Sequence, residues 1–121
     1  MAVTLMTIQT SIWASNPVEI DIPYKTGFAP LYVKARVTVE RHPDNRELCV
    51  RGVEGEQGEE MIVIQRCFTL DGENAARTHW FEFKEVQAGR YTFYAVVRRP
   101  LEEKRSERIP VRSMAPGEGI E

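Results

Sequence analysis

This chain is short of the residues that build most dedicated chemical centres. Its 121 residues include two cysteines, Cys49 and Cys67, and two histidines, His42 and His79. A zinc centre needs three or four ligands in coherent geometry, and a nucleophile–histidine pair needs activation and an oxyanion site. No metal site and no catalytic residue is therefore expected. No run approaches the roughly 18 apolar residues needed to cross a bilayer. The stretch up to Trp13 lacks the charged start and apolar block of a secretory signal. The expectation is a soluble protein, either kept inside the cell or belonging to the envelope or the secreted fraction once trimmed. The formal net charge of −2 lacks the basic excess that a nucleic-acid partner favours. No glycine-rich loop precedes a helix, so no nucleotide is implied and no cofactor is expected. No helix of three or more turns, no internal repeat and no linker can be placed.

What the chain does have is alternation. Val18, Ile20 and Ile22 alternate with Glu19 and Asp21. From Leu31 to Glu40, Leu31, Val33, Ala35, Val37 and Val39 face one way and Tyr32, Lys34, Arg36, Thr38 and Glu40 the other. Successive side chains of a strand point to opposite faces, so this is one core face and one wet face. Similar strands are expected at 47–53, 61–70, around His79–Lys84 and from Tyr91 to Arg98. A last strand carries Ile109 and Val111, with Pro110 at an edge because proline cannot donate to a ladder. His42-Pro43-Asp44-Asn45 and Asp71-Gly72-Glu73-Asn74 supply turn chemistry, and Ala75-Ala76 has room for one helical turn. Met61, Ile62, Val63 and Ile64 are apolar on both sides, which fits either full burial or an interface. Turn signals recur at the spacing of sandwich folds. The expected organisation is an N-terminal edge strand or arm at 1–16, a β-sandwich domain at 17–112 and a flexible tail at 113–121.

Cys49 and Cys67 fall on opposite arms of a hairpin centred near Gly58. Two unpaired thiols within strands are expected, a bridge between adjacent strands being the geometrically more demanding alternative. His79 with Cys67 would be a metal or nucleophile pair only if their strands were neighbours. The glutamates at 54, 56, 59 and 60 lack the Asp, Asn and Gly alternation of a calcium loop and read as a solvated hairpin tip. Paired carboxylates for glycoside hydrolysis need a cleft, and the candidates here sit on wet faces or turns.

The corner Val86-Gln87-Ala88-Gly89-Arg90-Tyr91 ends one strand and opens the next. Val86 closes the first, Gly89 permits a tight backbone, and Tyr91 can bury its ring and turn its hydroxyl back to an upstream backbone group. Through Phe81 to Ala95, and with Pro43-Asp44-Asn45-Arg46-Glu47-Leu48, the chain resembles immunoglobulin-like and fibronectin type III-like domains of bacterial envelope and secreted proteins. The resemblance implies an all-β, immunoglobulin-like antiparallel β-sandwich of about seven strands plus the N-terminal segment. It implies a non-enzymatic domain for protein interaction or assembly, with a protein partner or self-association as a homodimer. The alternatives are a carbohydrate-binding accessory domain and a structural module with no dedicated ligand. Tyr32, Trp80 and Tyr94, opposite the inferred core, are the candidate ligand or partner surface.

Overall fold

The computed structural model describes residues 16–56 and 58–116. The expected N-terminal arm lies almost wholly outside the described residues, as does the end of the expected tail. Among the described residues nine strands follow one another: β1 (Val18–Asp21), β2 (Thr26–Phe28), β3 (Leu31–Val39), β4 (Glu47–Glu54), β5 (Met61–Thr69), β6 (Thr78–Val86), β7 (Gly89–Arg99), β8 (Glu102–Arg105) and β9 (Ile109–Met114). The protein is all-β, and its one helical turn among the described residues is a 3-10 turn at Gly72–Asn74. That turn falls just before Ala75-Ala76. β9 runs on to Met114, so the segment expected as tail begins inside a strand.

The strands divide into two sheets. β1, β3 and β6 form an antiparallel sheet of three; the other sheet runs β2-β9-β7-β4-β5, with β8 also on β7. Among the described residues only the β2–β9 pair is parallel, Thr26 opposing Arg112 and Phe28 opposing Met114. β3 shows why sequence becomes sheet here: its residues alternate buried and exposed along almost its whole length. The inward residues of both sheets form one core, including Val33, Val37, Phe81 and Phe83 from the first and Leu48, Val50, Phe93 and Val111 from the second. Burial of each such side chain contributes about 1.5–3 kcal/mol.

β7 differs from the rest. Phe93, Tyr94, Ala95, Val96 and Val97 are all buried, so both of its faces are covered. It is flanked along one side by β4, and along the other by β9 at its start and β8 at its end. β5 is an edge strand, and Met61, Ile62 and Val63 at its start are exposed rather than buried. Pro110 opposes Thr92 of β7, while β2 joins β9 only beyond it, at Arg112.

Buried polar side chains fasten the ends of the sheets, as unpaired ones would be costly. Asn45 is 1% exposed; its Nδ2 donates to the Glu40 carbonyl at 3.0 Å and its Oδ1 accepts from Arg99 Nε at 2.9 Å. Ser113 Oγ in β9 donates to the Val86 carbonyl in β6 at 3.1 Å, which links the two sheets. At the corner, the Tyr91 hydroxyl donates to the Gln87 carbonyl at 2.7 Å. A Cβ on Gly89 would lie 3.2 Å from that hydroxyl and 2.8 Å from Glu54 Oε2, so the close approach favours glycine there.

Candidate redox site

β4 and β5 form the hairpin that carries both cysteines. Its register sets Glu47 opposite Thr69, Cys49 opposite Cys67 and Arg51 opposite Gln65. Cys49 and Cys67 are joined by a disulfide, with S–S 2.04 Å and Cα–Cα 4.0 Å. This corrects the expectation of two unpaired thiols. Directly opposed residues of an antiparallel pair hold their Cβ atoms within bonding reach of two sulfurs. Cys49 is 1% exposed, whereas Cys67, on the edge strand, is exposed.

Leu48 and Val50 belong to the main core. By alternation Glu47, Cys49, Arg51 and Val53 therefore share the outer face of the larger sheet. Across that face Cys67, Cys49, Val96 and Arg105 stand in one row. The adjacent row holds Glu47, Arg98 and Glu103, and these are paired by charge. Arg98 Nη1 lies 3.2 Å from Glu47 Oε1, and Arg98 Nε 3.5 Å from Glu103 Oε2. Arg105 Nη2 reaches Glu103 Oε1 at 3.4 Å. A carboxylate oxygen of Glu47 and the two sulfurs lie within 4.8 Å of one another, the one such cluster of three donor side chains among the described residues.

The same face explains Tyr94. Tyr94, Val53 and Val96 form a small second apolar cluster. The Arg105 and Arg108 guanidinium carbons stand 5.4 and 4.9 Å from the Tyr94 ring centre. Arg108 is also ion-paired with Glu60 at the hairpin tip. Tyr94 is thus 4% exposed and presents no open ring. Alternation places it away from the main core, as read from the sequence, but covering arginines remove it from the surface. Tyr32 and Trp80 are about half exposed, on the outside of the other sheet, with Lys34 Nζ 4.8 Å from the Trp80 ring centre. The three aromatics do not form one surface. A groove of about 590 Å³ is lined by Tyr24, Phe28, Tyr32 and Lys34 but not by Trp80, and it presents no thiol, imidazole or carboxylate.

The histidines stay apart from the cysteines. His79 is on β6, in the smaller sheet, and its ring sits 5.0 Å from that of Phe68. Phe68 packs toward the core, so its neighbour Cys67 points to the opposite face. His79 Nε2 bonds the Ala76 carbonyl at 2.7 Å, and His42 Nδ1 accepts from the Asp44 amide at 3.0 Å. The pairing of His79 with Cys67 is thereby excluded. Glu47 was not singled out from the sequence, nor was its pairing with Arg98, which reads there as one of several basic residues of the last hairpin. The available signal was that positions 49 and 67 stand equally far from Gly58, which makes them, and their flanking charges, partners across a hairpin.

An all-β molecule of two facing sheets with a cross-strand disulfide on an outer face is the class of protein that this geometry defines. No protein-family model and no curated protein matches the chain. Among solved structures it is similar to the superoxide reductase (neelaredoxin) of Ignicoccus hospitalis, at 19% identity and a TM-score of 0.52 over 79% of each chain. A glutamate-to-alanine variant of that protein matches at 20% identity and a TM-score of 0.55, over 86% of this chain and 85% of its own. A threonine-to-lysine variant matches at 18% identity and a TM-score of 0.52, over 85% and 86%. At such identities the likeness is one of fold.

These neighbours replace the resemblance to immunoglobulin-like and fibronectin type III-like domains. The motif behind that resemblance, Val86 to Tyr91, is a local device that fastens a strand end, and such a device does not specify a family. The expectation of a non-enzymatic interaction or assembly domain falls with it, as does the carbohydrate-binding alternative. Both were carried by scaffold analogy, and the solved structures that share this scaffold are reductases.

Proposed function

We propose that this chain is an oxidoreductase-type domain whose working couple is the Cys49–Cys67 disulfide and its dithiol. The observation that carries the proposal is the placement of that bridge. It joins directly opposed residues, one sulfur belongs to an exposed edge-strand residue, and neither cysteine is part of the main core. The likeness in fold to superoxide reductases supports a redox role without specifying its chemistry.

Reduction of superoxide, the reaction in the neighbours' name, is a one-electron step of the kind that a redox-active metal supplies. The donors of this chain do not fit such a centre. The sequence has two histidines and two cysteines; the cysteines are bonded to each other, and each histidine has one ring nitrogen bonded to a backbone group, which leaves too few imidazole and thiolate donors for a closed ligand set. The disulfide instead offers two-electron exchange. A thiolate from a small thiol attacks Cys67 Sγ in line with the S–S bond, forming a mixed disulfide and releasing Cys49 as the leaving thiolate, which takes up a proton. A second thiol attacks the mixed disulfide, and Cys67 leaves and is protonated in turn. Two thiols are oxidised to one disulfide while the protein gains two electrons and two protons. Exposure of Cys67 gives the attacking thiolate access, and Arg98 offsets the Glu47 charge beside the leaving sulfur.

The test is alkylation trapping across a series of thiol/disulfide buffers, with thiols counted by mass and folding followed by circular dichroism. Expected is reversible passage from zero to two thiols in the folded protein, with the mixed disulfide trapped on Cys67 in a Cys49→Ser variant. A bridge that opens only when the chain unfolds would make it a structural staple and overturn the proposal.

A further inference from the structure

We infer that reduction turns the same three side chains into a binding site for a thiophilic divalent cation, with Zn2+ as the matching ion. The inference rests on the pair being reducible in the folded protein, and adds a ligand to that reading. Glu47, Cys49 and Cys67 already bring one carboxylate oxygen and two sulfurs within 4.8 Å of one another. Tetrahedral zinc with Zn–S bonds of about 2.3 Å sets its sulfurs about 3.8 Å apart. Opposed strand residues reach that span by side-chain rotation alone, since the Cβ atoms of a disulfide-forming pair stand about 3.5–4.5 Å apart. The hairpin register that closes the disulfide thus also suits a cation between the sulfurs.

Charge and access point the same way. Two thiolates and a carboxylate carry three negative charges, which the cation and Arg98 together balance. Arg98 holds Glu47 Oε1 from a neighbouring strand, a contact that orients a ligating carboxylate. Three protein donors leave a fourth tetrahedral position on the solvent side of Cys67, for water or a further ligand. Thiolate donors favour zinc or cadmium over magnesium or calcium. Binding is written as one Zn2+ displacing two thiol protons, with no change of oxidation state. Oxidation of the pair removes both thiolate donors, so the site exists in one redox state only.

The test reduces the folded protein with a phosphine under argon, counts its thiols by alkylation, and titrates Zn2+ against a chromophoric chelator. Cd2+ serves as a second probe, read by thiolate-to-metal absorption in the ultraviolet. Expected is one Zn2+ per chain in the reduced protein and none in the oxidised protein. Glu47→Gln, which keeps both thiols, is expected to weaken binding roughly tenfold or more, the scale seen when a metal site loses a supporting group. The Cys49→Ser/Cys67→Ser double variant is expected to abolish it. Two free thiols in a folded protein that binds Zn2+ no better than the double variant would overturn this inference alone. A thiol count that stays at zero until unfolding would overturn it together with the redox proposal.

Discussion

Tyr91 is 7% exposed and its hydroxyl donates to the Gln87 carbonyl. Burial first, and the Glu54 carboxylate second, hold this phenol above its usual value. The folded state therefore favours the neutral, hydrogen-bonded form. Its contribution is fully present below the unfolded phenol value of about 10 and is lost as pH rises through the higher folded value. Tyr91→Phe is expected to lower stability at pH 7 by about 1–3 kcal/mol, because the Gln87 carbonyl loses its partner. Urea unfolding from pH 7 to 10.5 checks both points: the gap between wild type and variant should shrink at the alkaline end. A gap that widens there would mean that the ionised form is the one held. Other residues show what a sequence does not state at this scale. Asn45 sits in an evident turn, yet turn residues are ordinarily exposed, and only the folded chain reveals it bonded to Glu40 and Arg99. Tyr94 has the parity of an outward side chain, but parity says nothing about what covers an outer face.

The hairpin of β4 and β5 is the element on which the proposed chemistry depends. Its bridge closes a loop across a sequence separation of 18, and loops near that length lose about 3 kcal/mol of stabilisation when opened. Neither sulfur is part of the main core, so Cys49→Ser/Cys67→Ser is expected to lose about 3 kcal/mol and still unfold in one step from a native-like state. Urea titration with near-ultraviolet circular dichroism measures it; loss of the native signal without urea would show that the bridge holds the fold and does not cycle. Alternation was enough to read most strands, since one buried face imposes period two on a strand. Two further features of this hairpin were not legible. The register shifts between Gly52 and Val53, where a Cβ on Gly52 would come within 3.0 Å of the Phe93 ring. A close approach of this kind depends on a strand distant in sequence. The link after β5 also crosses to the other sheet, which separates His79 from Cys67. Local turn residues specify that the chain reverses, not which layer it joins.

Across the whole molecule, fold and chemistry have separate origins. The two facing sheets follow from apolar residues at alternate positions, a pattern that many sequences satisfy. Likeness to superoxide reductases can therefore persist at 18–20% identity. A metal centre is a stricter requirement, because each donor must be the right residue at one place, and likeness of fold does not carry donors with it. Here the two cysteines are joined in a disulfide, and the two histidines each have one ring nitrogen bonded to backbone, at the Ala76 carbonyl and the Asp44 amide. The oxidised protein, mixed anaerobically with ferrous ion and desalted, is accordingly expected to keep no stoichiometric iron. Its removal of superoxide should not exceed that of the double cysteine variant treated alike. Iron analysis and a superoxide decay assay on the same samples check this. One iron per chain with rapid decay would mean that the fold gathers donors beyond these four side chains, and the two-electron assignment to Cys49 and Cys67 would then give way to a metal-centred one.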